Sequence, residues 1–184
     1  LSADAQNEFP RLVRSTVTMG DHDDETVTRQ RAEHKILVRS PAMAELVERF
    51  VDARLYIIDA AENEEPRVGV AHEALLRCWP RMAEAIDSDR HFLKIRCRIA
   101  RAARRWRDDG EEDALLLPSG VQLEEGRDML ESRWDELSNL EVRFIERSSE
   151  FETEEEQKRL RRLQLVTVAF ASLALIAMVA GFNA

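Results

Sequence analysis

Few side chains in this sequence have types and spacing that could do chemistry. His72-Glu73 opens as a zinc-protease HExxH would, but position 76 is Leu. Without the second imidazole, no metal site is expected. Cys78 and Cys97 form no CxxC pair and lack a histidine cluster. They read as ordinary buried thiols of a reducing compartment. None of the six glycines precedes a lysine, so the sequence holds no GxxxxGK[ST] phosphate loop, and it holds no GxSxG elbow. No residue is therefore expected to perform hydrolysis. What remains is one imidazole, His72, at a predicted strand-to-helix junction. Unpaired N–H groups and the helix dipole favour an anion at such a place, and an imidazole can donate to phosphate. A histidine that only caps the helix or packs on the hairpin accounts for the same spacing.

Charge narrows the partners. The 184 residues carry a net charge of −9, which argues against generic nucleic-acid binding. One segment has the opposite sign: 90–107 holds Arg90, Lys94, Arg96, Arg98, Arg101, Arg104, Arg105 and Arg107 with no acid between them. It reads either as a surface for an acidic partner or as a solvated helix face. In the second reading its cations pair with the acidic loop 108–113 and with the helix around Glu124.

The elements that must position these residues follow from apolar periodicity. Phe9, Leu12, Val13, Thr16 and Val17 predict a first helix over 1–17. A turn is expected at 20–24, and 26–31 is a short edge strand. Segment 32–38 is ambiguous between helix and strand. Ser40-Pro41 starts a helix to about Ala53, since serine caps open N–H groups and proline suits the first helical position. Strands at 55–58 and 67–71 flank a polar hairpin loop, with Asn63, Glu64 and Glu65 at its tip. A helix over 72–86 follows, with a kink or break expected at Pro80. Helices at 90–107 and 121–131 come next. Ser138 with Glu141 forms a capping box for a last helix.

The last segment, 163–184, contains no charged residue. A helix of about 20 apolar residues spans a bilayer core of roughly 30 Å. Lys158, Arg159, Arg161 and Arg162 lie before it, which predicts a single-pass membrane protein with residues 1–162 in the cytoplasm. The chain does not begin with Met and opens inside a predicted helix, so it is expected to be the C-terminal part of a larger protein.

Helices followed by a two-stranded hairpin form the layout of a winged helix. The reading helix of a DNA-binding version would be 41–53, and its charges, Glu45, Glu48, Arg49 and Asp52, sum to a negative value. Such a helix is repelled by phosphates, so no nucleic-acid partner is expected.

At this point the sequence resembles a known family. Val68-Gly69-Val70-Ala71-His72-Glu73-Ala74-Leu75-Leu76-Arg77, with Trp79-Pro80-Arg81 after it, is similar to the winged-helix segment of bacterial STAND-class signal-transduction NTPases. Phe50-Val51-Asp52-Ala53-Arg54-Leu55 before it and Asp87-Ser88-Asp89-Arg90-His91-Phe92-Leu93 after it extend the likeness. Ala102-Ala103-Arg104-Arg105-Trp106, Leu115-Leu116-Leu117 and Leu137-Ser138 onward continue it. The resemblance implies a P-loop ATPase domain upstream in the same chain, which binds ADP or ATP with Mg. It implies a winged helix, an arm, and often a WD-repeat sensor. ADP holds such proteins closed, and exchange for ATP opens them to homo-oligomerise. Ala71-His72-Glu73 falls on the family's Met-His-Asp triplet, of which only the histidine is identical. The resemblance then implies that His72 contacts the ADP β-phosphate and that Glu73 supports the local turn.

The expected fold is mainly α: a winged-helix domain over 1–86, a helical arm over 87–162 and one transmembrane helix over 163–184. The expected role is regulatory coupling to nucleotide state in a membrane-anchored STAND-type NTPase of signalling or defence, with no enzymatic activity in this part. The membrane and the ATPase domain are its expected partners. A membrane-anchored winged-helix transcription regulator that binds DNA is the alternative, and a purely structural stalk is a third.

Overall fold

A computed structural model describes residues 1–20, 26–60 and 65–182, with side chains described to Val168 and at Phe170. Residues 21–24 of the expected turn, and Asn63 and Glu64 of the expected hairpin tip, lie outside the described residues. The chain divides into two compact units, Leu1–Arg101 and Ala102–Ala184.

The first unit opens with two short helices in place of the single predicted one. They are α1 (Ala3–Asn7) and α2 (Phe9–Thr16), and Pro10 falls in the first turn of α2. Proline has no N–H to donate, so it suits a new start and not a continuation. The predicted helix also stops one residue early, because Val17 enters a strand. β1 (Val17–Met19) pairs antiparallel with β2 (Val27–Arg29). The ambiguous segment resolves into both candidates, β3 (Ala32–Glu33) and then α3 (His34–Leu37). α4 (Pro41–Asp52) starts as its sequence predicts, with Ser40 Oγ accepting from Met43 N at 3.1 Å. It buries Met43, Leu46, Val47 and Phe50, one helical face.

After α4 comes a hairpin, β4 (Tyr56–Asp59) and β5 (Arg67–Val70), in a three-stranded sheet of order β3-β5-β4. Tyr56 faces Val70 and Ile58 faces Val68 in register. Tyr56, Val68 and Val70 are buried in the core that also takes α2 and α4. The 72–86 segment is two helices, α5 (Leu75–Cys78) and α6 (Pro80–Ser88), broken where proline was expected to break it. Trp79 at the break is extended, φ −97° and ψ 108°, as the residue before a proline prefers. Cys97 is buried as expected, but Cys78 is exposed because α5 turns it outward.

The helix α7 (Arg90–Asp108) belongs to the first unit as far as Arg101 and to the second from Ala102. The second unit continues with α8 (Val121–Arg133) and α9 (Asn139–Phe182). Its core includes Trp106, Leu117, Leu123, Met129, Phe144 and Ile145, with the Trp106 and Phe144 rings 5.5 Å apart. Ser148 Oγ accepts from Leu117 N at 3.1 Å and donates to Phe144 O at 2.7 Å, so this buried hydroxyl is satisfied twice. The capping box forms as predicted: Ser138 N donates to Glu141 Oε2 at 2.6 Å, and Glu141 N donates to Ser138 Oγ at 3.3 Å.

The transmembrane helix is corrected. The apolar run is the end of α9, one helix whose earlier turns are charged through Arg162. Among the described residues, no helix is long and apolar enough to cross a membrane. The single-pass localisation, the cytoplasmic placement of 1–162 and the membrane as partner rested on that span, and they fall with it. Residues 183 and 184 lie outside the described residues.

Tyr56 supplies a direct test of the first core. It is the one tyrosine of the sequence. Its hydroxyl lies 3.2 Å from Thr16 Oγ1, which donates to Leu12 O at 2.8 Å. Burial pushes the Tyr56 phenol up from 10.0 to about 12, opposed in part by the Thr16 bond. The unfolded phenol ionises first, so the unfolded chain holds fewer protons between those values. Stability therefore falls as pH rises from about 10 to about 12, by about 3 kcal/mol. Phenolate absorbance should appear near pH 12 in the folded chain and near its ordinary value in urea. Ionisation near pH 10 without unfolding would contradict this packing.

Candidate functional site

His72 and Glu73 lie between the end of β5 and the start of α5, and both are exposed. Their carbonyls open the turn that becomes α5: His72 O accepts from Leu75 N and Glu73 O accepts from Leu76 N, each at 3.0 Å. Among the described residues, neither side chain has a hydrogen bond or ion pair. The sequence expectation of a long helix starting at 72 is not met. α5 is one turn long, so few peptide dipoles align behind His72 and their pull on an anion is slight. What the junction presents is an exposed imidazole at the end of a strand.

The junction is held from behind by apolar packing. Leu76 is buried. The Trp79 ring lies 5.3 Å from Phe9 and 5.6 Å from Phe50, and the Phe9 and Phe50 rings are 5.8 Å apart, edge to face. The Arg81 guanidinium stands 4.8 Å over the Phe9 ring. Aromatic pairs in these geometries add about 0.5–1.5 kcal/mol each beyond the area they bury. Four elements, α2, α4, α5 and α6, therefore meet at the residues that follow His72.

Beside the junction lies a cleft of about 310 Å³ lined by Arg29, Gln30, Arg31, Arg67, Gly69 and Val70. Arg29 Nη1 donates to Ala71 O at 3.3 Å, which ties the cleft to the residue before His72. Arg31 pairs with Asp59 at 2.8 Å. The sequence offered only a faint signal here. Arg29 and Arg31 alternate along a predicted strand, so they share a face, but nothing local brings Arg67 to them. That depends on β5 forming the middle of its sheet.

Most cations of α7 are engaged. Arg96 donates to Arg14 O at 3.3 Å, Arg101 to Cys97 O at 3.4 Å, and Arg90 to Asp87 at 2.7 Å. Arg105 pairs with Asp109 and Arg107 with Asp108. The acidic loop beyond is shared with α9, where Arg143 pairs with Glu111 and Arg147 with Asp113. Glu124 pairs within α8, with Arg127 at 2.8 Å. The solvated-face reading therefore holds for the loop, while Glu124 itself pairs within its own helix. Among the described residues, no group of three or more His, Cys, Asp or Glu side chains could hold a metal ion.

Substitution should separate the exposed pair from its support. His72→Ala and Glu73→Ala are expected to leave stability within about 0.5 kcal/mol, as for other exposed sites. Trp79→Ala removes a ring from the aromatic cluster and should cost about 3 kcal/mol. Urea unfolding of the three variants measures both. A large loss from His72→Ala would mean that its ring is structural.

Compared with known proteins, residues 1–114 match a family model described as Novel STAND NTPase 1. No curated protein and no solved structure matches the chain.

Proposed function

The chain belongs to the novel STAND NTPase 1 family, and from that premise we propose that it is a regulatory, nucleotide-state-coupling part of a STAND-type NTPase. In this reading hydrolysis belongs to a P-loop ATPase domain elsewhere in the protein, which holds ADP or ATP with Mg. The Leu1–Arg101 unit acts as a winged helix that closes over that nucleotide. The Ala102–Ala184 unit acts as the arm that passes the change on, to a second copy during oligomerisation or to a sensor such as a WD-repeat propeller.

The observation that carries the proposal is the exposed imidazole of His72 at the end of β5, on a junction anchored by Trp79. Sheet order supports the winged-helix part. β3 precedes the helices α3 and α4, the hairpin β4-β5 follows them, and β5 returns between β3 and β4. The residues present fit a phosphate, since an imidazole donor stands beside a cleft lined by arginines. Bound ADP supplies the anionic oxygens, and the chain's part is to donate to them from His72. Glu73 holds the turn through its carbonyl bond to Leu76 N.

In the protein that carries the ATPase domain, His72→Ala should weaken ADP binding by about tenfold, the effect of losing one hydrogen bond to a charged group. Basal activity should rise, because ADP holds the closed state. Calorimetric titration with ADP and a steady-state ATPase assay measure the two effects. ADP affinity unchanged in a folded His72→Ala protein would remove the role given to this residue.

A further inference from the structure

The cleft beside the junction has a charge pattern that the packing of the fold does not require. Three guanidiniums line it, and among the described residues no carboxylate does. Arg31 is paired to Asp59, which fixes it across the sheet. Among the described residues Arg29 reaches the Ala71 carbonyl alone, a neutral acceptor that does not offset its positive charge. Arg67 has no ion pair among the described residues. On the neighbouring strands Glu33 and Asp59 stand opposite Arg67 in register. Two carboxylates thus border three guanidiniums, and one of the two is already bound to Arg31.

Shape agrees with charge. Gly69 lies under Arg31, where an added Cβ would meet Arg31 Cγ at 3.2 Å and Gln30 O at 3.5 Å. The missing side chain lets the segment carrying Arg31 close on the sheet. The volume of about 310 Å³ lies at the small end of small-molecule sites. It suits an anion of two or three phosphates better than an extended polymer. Arginine's planar fork binds such oxygens in pairs, which a single ammonium does not.

We propose that Arg29, Arg31 and Arg67 form a binding site for an oligophosphate anion, with Arg29 and Arg67 as the ligating guanidiniums and Arg31 positioned by Asp59. The anion is either inorganic pyrophosphate or the diphosphate of a nucleotide. Binding exchanges the Arg29–Ala71 bond for a charge-assisted one, which links occupancy of the cleft to the backbone just before His72. The site deepens the function proposed above, and rests on that reading where the anion is a nucleotide's diphosphate.

The test is calorimetric titration of this chain with pyrophosphate, ADP and adenosine at one matched ionic strength. Saturable binding of pyrophosphate and ADP, with none of adenosine, is expected. Arg29→Gln and Arg67→Gln should each weaken pyrophosphate binding by about tenfold or more. Both side chains are exposed, so the fold should survive, and circular dichroism checks that it does. Arg39→Gln removes an exposed charge that does not line the cleft and should change nothing. The role given to His72 is read separately, as ADP affinity in the protein that carries the ATPase domain, so failure of this site and failure of that role are distinguishable. Binding of neither pyrophosphate nor ADP overturns the proposal, as does equal binding of adenosine; binding of ADP without pyrophosphate identifies the anion as a nucleotide's diphosphate. An equal loss from Arg39→Gln overturns it too, because the attraction would then be diffuse.

Discussion

Trp79 packs against Phe9 of α2 and Phe50 of α4, and Phe50 in turn lies 5.6 Å from Tyr56 of β4. These four rings join two helices, a strand and the break between α5 and α6. Pro80 makes the break unavoidable, since it cannot donate the hydrogen bond a continuous helix needs. Without the rings, however, the break could point in many directions. Large aromatic side chains bury much area and prefer a few relative orientations, so the cluster chooses one. The path from Val70 through His72 to Met82 then follows. It leaves the sheet, makes one turn anchored by Leu76 and begins again at Pro80 with Met82 and Ile86 buried. The exposure of His72 is thus a result of apolar packing several residues away.

Charge is distributed by a different rule. The chain as a whole is acidic, yet its cations are grouped. On α7 most of them bond to nearby carbonyls and acids. In the second unit, Arg127 joins Glu124 and Glu152, while Arg147 joins Asp113 and Glu154. Exposed pairs of this kind contribute little each to stability. Arg29 differs, because its bond goes to a carbonyl, that of Ala71.

The sequence was most legible where one residue type solves a local problem. Ser40 and Ser138 cap helices because a short hydroxyl reaches an open N–H, and each is seen doing so. The hairpin over 56–70 was visible as two apolar runs around a polar loop. It was less legible where the answer depends on distant pairing. Val17 fits the helical stripe of Phe9 and Val13, yet β2 claims it for a strand. Cys78 looked buried because it was placed in a long helix, and the break at Trp79 turned it out. The apolar tail invited a membrane reading that the described helix does not support. The candidate cleft was hidden for the same reason as the β1-β2 pair: Arg29 and Arg67 lie on strands of two different sheets, which tertiary packing alone brings to one cleft. The family likeness read from the segment around His72 agrees with the match over 1–114.

The three tryptophans are distributed usefully. Trp79 is half-buried in the first unit, Trp106 is buried in the second, and Trp134 is 63 % exposed. Indole emission shifts to the red in water, so Trp134 contributes a signal that changes little on denaturation. Loosening of either core registers through its own ring. Trp-to-Phe replacement at 79 or 106 would then give a chain whose intrinsic fluorescence follows one compact unit at a time, without an added dye.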